Sequence, residues 1–183
     1  FGWAPKGLQP GLILDVGCGD GTFLLDVQRA GWNASGLETS QTAVDNAAGL
    51  GLDITCGSLE DKCYEDSKFD VVRMWSVLEH VSDHHTTLTE VVRILKPGGW
   101  AILQVPNANS IARQLAKEQW SGWDIPAHLT HFTPETLRWP AAKAGLEPVE
   151  LNYSSVGTLA NWVTWGPSAI CRILVFLVDQ LFD

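Results

Sequence analysis

Three glycines set one residue apart, Gly17, Gly19 and Gly21, follow the apolar run at the head of LILDVGCGDGTFLLDV, Leu12 to Val27. Glycine lets a backbone approach a bound group closely. Such a loop can cradle a nucleotide's phosphates, hold a cofactor that carries no phosphate, or make no more than a tight turn. A dinucleotide asks for G-x-G-x-x-G, whose third glycine lets helix pack closely on strand. Thr22 stands at that third place, which disfavours a pyrophosphate without excluding it. Glu38 closes the next apolar run, about 20 residues beyond the loop, where a carboxylate can accept both hydroxyls of a ribose. Alone, Glu38 reads equally as a helix cap or a solvated charge. Together with the loop at this spacing it points to an adenosine.

These residues need elements to place them. Strand-like runs occur at Leu12–Val16, Ala34–Glu38, Ile54–Cys56, Phe69–Ser76 and Trp100–Pro106, each closed by Gly, Pro, Asn or Ser. Helical patterns at Gly21–Ala30, Gln41–Leu50 and Asp83–Leu95 alternate with them. Strand alternating with helix gives right-handed crossovers and a mainly parallel sheet covered on both faces, an α/β Rossmann-like open sandwich. In that architecture ligands bind beyond the carboxyl ends of the strands, where the strand order reverses, and the first strand-to-helix turn belongs there. Past Asn107 the pattern predicts a helix over Ser110–Trp120, a loop, and a helix from Thr133 to about Ala144 with Pro134 at its first position and a break or kink at Pro140. A strand over about Pro148–Tyr153 follows. Residues 1–155 read as one domain, and 156–183 as an apolar helical tail, with its core at Pro167–Phe182, that packs on the domain or on a partner copy or lies on a membrane surface.

Composition narrows the classes. The 183 residues suit a single domain, and 45% hydrophobic with 18% charged residues is ordinary globular usage. A net charge of −9 with no basic cluster argues against a nucleic-acid partner. Cys18, Cys56, Cys63 and Cys171 form no C-x-x-C pair and no zinc spacing with histidine, so reduced thiols in a cytoplasmic protein are expected. Nothing at the start resembles a signal peptide. Five of the nine tryptophans lie between Trp120 and Trp165, bulky apolar surface to bury or to offer to a ligand.

ILDVGCGDG closely resembles the first motif of the class I S-adenosylmethionine-dependent methyltransferases. The remaining motifs follow in that family's order: GLETS resembles its ribose-binding strand end, GSLED its adenine loop, FDVVRMWSVLEHV its fourth motif and ILKPGGWAILQVPN the approach to its fifth strand. HLTHFTPETLRWPAAKAGLEPVEL is similar to the late part of the small-molecule branch that includes the ubiquinone-biosynthesis O-methyltransferases. The resemblance spans about Leu12 to Leu151 and implies S-adenosylmethionine as cofactor and a small-molecule acceptor, with O-methylation favoured. Its cofactor set is Asp15, Gly17, Cys18, Gly19, Glu38, Thr39, Ser58, Leu59, Glu60, Trp75 and Ser76. Asp15 would orient the loop, meet the cofactor's amino end through water, or merely brace the turn. Where the family usually carries an acidic residue after the third-strand glycine, this chain has Ser58. Either Ser58 grips the adenine more weakly or Glu60 takes over, with Leu59 offering its backbone and an apolar face.

Methyl transfer is an in-line displacement at an activated methyl, so most of the catalysis can come from alignment, and a base is needed only where the acceptor loses a proton. His80, with Glu79 before it, is the expected base; a histidine that satisfies a backbone carbonyl is the plainer reading. Some ubiquinone-type enzymes hold a divalent metal on E-x-x-E-H here. Ser76-Val77-Leu78-Glu79-His80 lacks the first carboxylate, so no metal is expected. Trp120, Trp123, His128 and His131 are the expected acceptor residues, stacking on a flat or lipid-like molecule or forming a lid. His84 and His85 read as solvated. A nicotinamide-dependent oxidoreductase and a non-catalytic cofactor binder are the competing readings.

Overall fold

The strand runs become β1 (Leu12–Val16), β2 (Asn33–Glu38), β3 (Asp53–Cys56), β4 (Phe69–Trp75) and β5 (Leu95–Pro106), interleaved with α1 (Thr22–Arg29), α2 (Gln41–Ala48) and α3 (His84–Ile94). The computed structural model describes residues 5, 7–155, 158–164 and 172–179, with side chains at 5, 7–149 and 151. After β5 come α4 (Ile111–Ala116), α5 (Pro134–Lys143), β6 (Glu147–Ser155), β7 (Thr158–Thr164) and β8 (Arg172–Asp179). The strands form one sheet in the order β3-β2-β1-β4-β5-β8-β6-β7. All its described pairings are parallel except that of β7 with β6.

β1 has β2 on one side and β4 on the other, so the strand order reverses there and a crevice opens above the β1–α1 turn. Strands buried on both faces must be apolar throughout, and Ile13, Leu14, Val71, Val72, Ile102 and Leu103 are all fully buried. Leu14, Val72 and Leu103 pack towards α3 and α5, whereas Ile13, Val71 and Ile102 pack with Leu24 and Val27 of α1. Ser40 caps α2, Asp83 caps α3, and Thr133 makes a reciprocal capping box with Thr136 at the head of α5.

Two local expectations change. The helix after Ser110 ends at Ala116 and gives way to two 3-10 turns, Lys117–Gln119 and Ser121–Trp123. Pro140 does not break α5, which runs on to Lys143 and stops before Gly145, whose φ of 93° is left-handed.

The larger change is in the tail. Residues Arg172–Asp179, expected as the core of an apolar helix, are a strand lying parallel to both β5 and β6. A continuous apolar run suits a strand buried on both faces as well as it suits a buried helix, and sequence periodicity does not separate the two. Thr158–Thr164, also expected in the helical tail, are likewise a strand, β7, antiparallel to β6, and residues 156–157, 165–171 and 180–183, the rest of that tail, lie outside the described residues. Among the described residues no helix is long and apolar enough to cross a membrane.

Candidate active site

The β1–α1 turn opens at Gly17, whose φ is 71° and whose missing Cβ would stand 2.4 Å from Val77 Cγ2. Only glycine lets the turn lie this close to the segment after β4. Gly17 N and Cys18 N both donate to the carbonyl of Leu37, at 2.7 and 3.2 Å, which fixes the turn against the end of β2. Glu38 completes that link. Its Oε2 accepts from Gly19 N at 3.0 Å, and its Oε1 accepts from Ser40 N at 2.9 Å and from the Thr39 hydroxyl at 3.3 Å. Two carboxylate oxygens offer about four acceptor directions, so the oriented group retains room for a hydroxyl donor.

A cavity of about 500 Å³ begins at this corner. Gly17, Glu38, Thr39, Ser58, Leu59, Glu60, Ser76 and His80 line it, as the sequence anticipates. Val16, Leu37, Met74, Val77, Val81 and Thr87 complete its wall, with Gly57; all but Thr87 lie within the motifs quoted above, although none was singled out as a site residue. Apolar walls with a few fixed polar groups suit a nucleoside ring and ribose better than a phosphate chain. Ser58 spends its hydroxyl on Asp61, donating to Oδ2 at 2.7 Å and accepting from Asp61 N at 3.2 Å. Glu60 accepts from the Thr87 hydroxyl. This part of the cavity therefore offers the apolar side of buried Leu59 and backbone groups more readily than a free carboxylate.

Asp15 does not line this cavity. It is 1% exposed, and its Oδ1 is 2.7 Å from Arg73 Nη1 on the neighbouring strand β4. The Arg73 guanidinium lies between the rings of Phe23, 3.8 Å away, and Trp75, 4.5 Å away. Burial pushes the Asp15 carboxyl up to about 6, against the downward pull of Arg73. Asp15 thus ties β1 to β4 and does not face the cavity, and its Oδ2 has no hydrogen-bond partner among the described residues. Trp75 faces this pair and also lies off the cavity. Cys18 is buried as well, its thiol pushed up to about 12, chiefly by burial. Sequence reasoning missed Arg73 because its partner is 58 residues away.

On the segment after β4, Ser76 adopts φ 53°, a left-handed conformation uncommon outside glycine, and donates its hydroxyl to Gln104 Oε1 at 2.6 Å. The 3-10 turn Leu78–His80 follows. His80 Nδ1 lies 2.9 Å from the Ala127 carbonyl. A carbonyl only accepts, so Nδ1 carries the proton and the neutral ring keeps its lone pair on Nε2. Glu79 is buried beside it, with both carboxylate oxygens lacking a partner among the described residues, and burial pushes its carboxyl up to about 7. The Glu79 carbonyl accepts from Leu129 N at 2.8 Å and Thr130 N at 3.2 Å, which ties the histidine loop to the turn.

The four expected acceptor residues do assemble, although none lines that cavity. His80 meets His128 ring to ring at 4.8 Å, His128 meets His131 at 6.3 Å, His131 meets Trp123 at 4.8 Å, and Trp123 meets Trp120 at 5.3 Å. Trp120 is 2% exposed and therefore supports this row from below, leaving any stacking to the outer rings. His84 packs on Phe132 and is half-buried, and burial lowers its pKa, so it is not the solvated residue expected. The carboxylate pair of E-x-x-E-H does not fit here, since Ser76 brings a hydroxyl already engaged with Gln104.

A family model described as a methyltransferase domain matches residues 3–151. The ubiquinone biosynthesis O-methyltransferase of Cereibacter sphaeroides is 32% identical over an alignment that covers 93% of this chain and 72% of that protein. The protein of the same name from Thiobacillus denitrificans is 33% identical, over 76% of this chain and 66% of its own length. Among solved structures, an S-adenosylmethionine-dependent methyltransferase from Thermotoga maritima superposes with a TM-score of 0.69 at 24% identity, over 90% of this chain and 81% of that one, a likeness of fold.

Proposed function

From the premise that this chain belongs to the class I S-adenosylmethionine-dependent methyltransferases, we propose that it methylates a hydroxyl on a flat, largely apolar small molecule. The observation that carries the reading is a cavity lined both by a loop-anchored carboxylate, Glu38, and by His80. S-adenosylmethionine is the cofactor. In this reading Glu38 takes the ribose hydroxyls, Leu59 lies against the adenine, and Gly17 and Gly19 bring backbone close to the methionine end. The relatives named for ubiquinone biosynthesis support an oxygen acceptor, and the ring row from His128 to Trp123 supports a flat one.

The chemistry asks little of the side chains beyond alignment. The acceptor oxygen attacks the methyl carbon in line with the departing sulfur, the S–CH₃ bond breaks as the O–CH₃ bond forms, and the hydroxyl proton must leave. His80 Nε2 takes that proton, with the ring held by the Ala127 carbonyl. Glu79, buried behind it, favours a positive charge on the ring as the proton arrives.

The test is S-adenosylhomocysteine formation from S-adenosylmethionine across a panel of catechols, phenols, amines and thiols. Turnover with the hydroxylated aromatics and none with the amines or thiols is the expected pattern. S-adenosylhomocysteine binding with no methyl transfer to any of them would leave a non-catalytic binder.

A further inference from the structure

We propose that Arg73 is a positioning residue for cofactor binding: it holds both feet of the glycine loop, so that the loop's backbone meets the methionine end of S-adenosylmethionine. The inference rests on the reading of the loop given above and adds the residue that sets it. Asp15, one residue short of the end of β1, lies directly opposite Arg73 in the β1–β4 pairing, and Phe23 is the second residue of α1. One guanidinium meets both. Its Nη1 is 2.7 Å from Asp15 Oδ1, and its Cζ is 3.8 Å from the centre of the Phe23 ring. Trp75, two residues on along β4 and therefore on the same face, covers it at 4.5 Å.

The loop between those feet does little to hold itself. Gly17, Gly19 and Gly21 have φ of 71°, 55° and 77°, a left-handed conformation that glycine enters and leaves without steric cost. Gly21 also stands at the cap of α1, where it has no side chain to close the first turn. Ser40, Asp83, Ser110 and Thr133 supply that side chain for α2, α3, α4 and α5. The start of α1 must therefore be placed by other contacts, and Phe23 on its first turn is where Arg73 takes hold. Towards β2 the loop is tied by the Leu37 carbonyl and by Glu38. Towards β4 it is Arg73 that reaches the residues on either side of it.

The form of the ion pair suits placement better than strength. A guanidinium set for strength grips a carboxylate with two parallel bonds. Here one bond forms, and Asp15 Oδ2 and Arg73 Nε have no hydrogen-bond partner among the described residues. Two aromatic rings, in place of a second bond, complete the surroundings of the buried cation. A buried ion pair often adds no net stability over apolar residues of similar volume, so the use of this one lies in where it holds the elements it joins. Only arginine has the flat, multiply donating group that can bond β1 and stack on α1 at once.

The experiment compares S-adenosylhomocysteine with adenosine by calorimetry. Adenosine lacks the homocysteine end, so it reads the nucleoside contacts of Glu38 and Leu59 alone. The double variant Asp15→Asn with Arg73→Met removes the pair without leaving either charge buried by itself. It should bind S-adenosylhomocysteine about tenfold more weakly and adenosine within about twofold of the unaltered chain, because the loss is one of loop placement. Its denaturant midpoint should match or exceed that of the unaltered chain. Phe23→Leu keeps the ion pair and frees only the α1 foot; Phe23 is half-buried, so this variant keeps the test decisive should the double variant misfold. It should show the same selective loss at smaller size. S-adenosylhomocysteine affinity unchanged in the folded variants overturns the inference. So does an equal loss for both ligands, the mark of a general loosening of the fold. An unaltered chain that binds the two ligands alike would overturn the placing of the methionine end on the loop, and this inference with it.

Discussion

At the loop end of the cavity the Glu38 carboxylate is held by Gly19 N, Ser40 N and the Thr39 hydroxyl, and the turn beside it is pinned twice to the Leu37 carbonyl. Next to the cavity-lining His80, buried Glu79 is equally a carboxylate, but neither of its oxygens meets a donor among the described residues. The first end is organised before any ligand arrives, which lowers the ordering cost of binding and suits a cofactor common to many enzymes. The second end keeps buried polarity unanswered, a state that persists in folded proteins where a ligand, ion or reaction makes use of it. Stability is concentrated at one end of the site, and chemical need at the other.

The sharpest probe of that contrast is His80→Gln, which should lower kcat by about 10²-fold or more, the usual contribution of a positioned base. S-adenosylhomocysteine affinity should stay within about twofold; an equal loss of affinity would show that the two ends do not work separately. Next in size is a pH effect under the loop. Asp15 holds its proton up to about pH 6 in the fold, against an ordinary 3.8, so between about pH 4 and 6 the folded chain binds a proton that the unfolded chain releases. Unfolding free energy should therefore fall as pH rises through that window, by up to about 3 kcal/mol from this carboxyl, and the buried Glu79 carboxyl, pushed up to about 7, extends the fall to about pH 7. Denaturant melts of Asp15→Asn should show a shallower slope between about pH 4 and 6, with the Glu79 share remaining. The depressed carboxylates Asp20, Asp61, Asp70 and Asp83 act in the opposite sense and below the ordinary value, so they do not mask it.

Glu38→Ala should cost about 1–3 kcal/mol of S-adenosylhomocysteine affinity, since it removes the ribose acceptor and releases Gly19 N. Calorimetry showing unchanged affinity would move the ribose elsewhere. The smallest effect has the opposite sign. Glu79→Met, melted with a chelator present, should raise stability by about 1 kcal/mol, because an apolar side chain replaces an unpartnered buried carboxylate. A fall in stability would mean that Glu79 is satisfied in solution, and the contrast between the two ends would fail.

The loop end was legible in the sequence because its parts are local: three glycines, an apolar strand before them, and an acidic residue at the end of the following strand. β1 to β5 were legible for a related reason, since strands covered on both faces leave unbroken apolar runs bounded by turn residues. Where pairing across the sheet decides, the reading thinned. Asp15 faces Arg73 only because β1 and β4 are adjacent and in that register. The expected helix over Pro167–Phe182 gave way to a strand at Arg172–Asp179 because the run matched both templates. The histidines were singled out one by one, yet the meeting of His80 with His128 depends on two backbone bonds to the Glu79 carbonyl, which no side-chain pattern announces. The apolar cavity wall, Leu37, Met74 and Val81 among it, sits inside quoted motifs, yet an apolar side chain there reads as core until the fold turns it to the cavity.

β8 comes after β6 and β7 along the chain yet lies between β5 and β6 in the sheet. A strand made late and placed inside must wait for its neighbours or they for it. Until Arg172–Asp179 has been synthesised, β5 and the β6–β7 hairpin each present an open edge with unpaired N–H and C=O groups. The β1–β5 half can collapse on contacts already available to it, so the expected order is a nucleus on the glycine-loop side with closure of the other half as the slow, long-range step. During that interval the open edges are where a nascent chain would pair with another copy or need a chaperone.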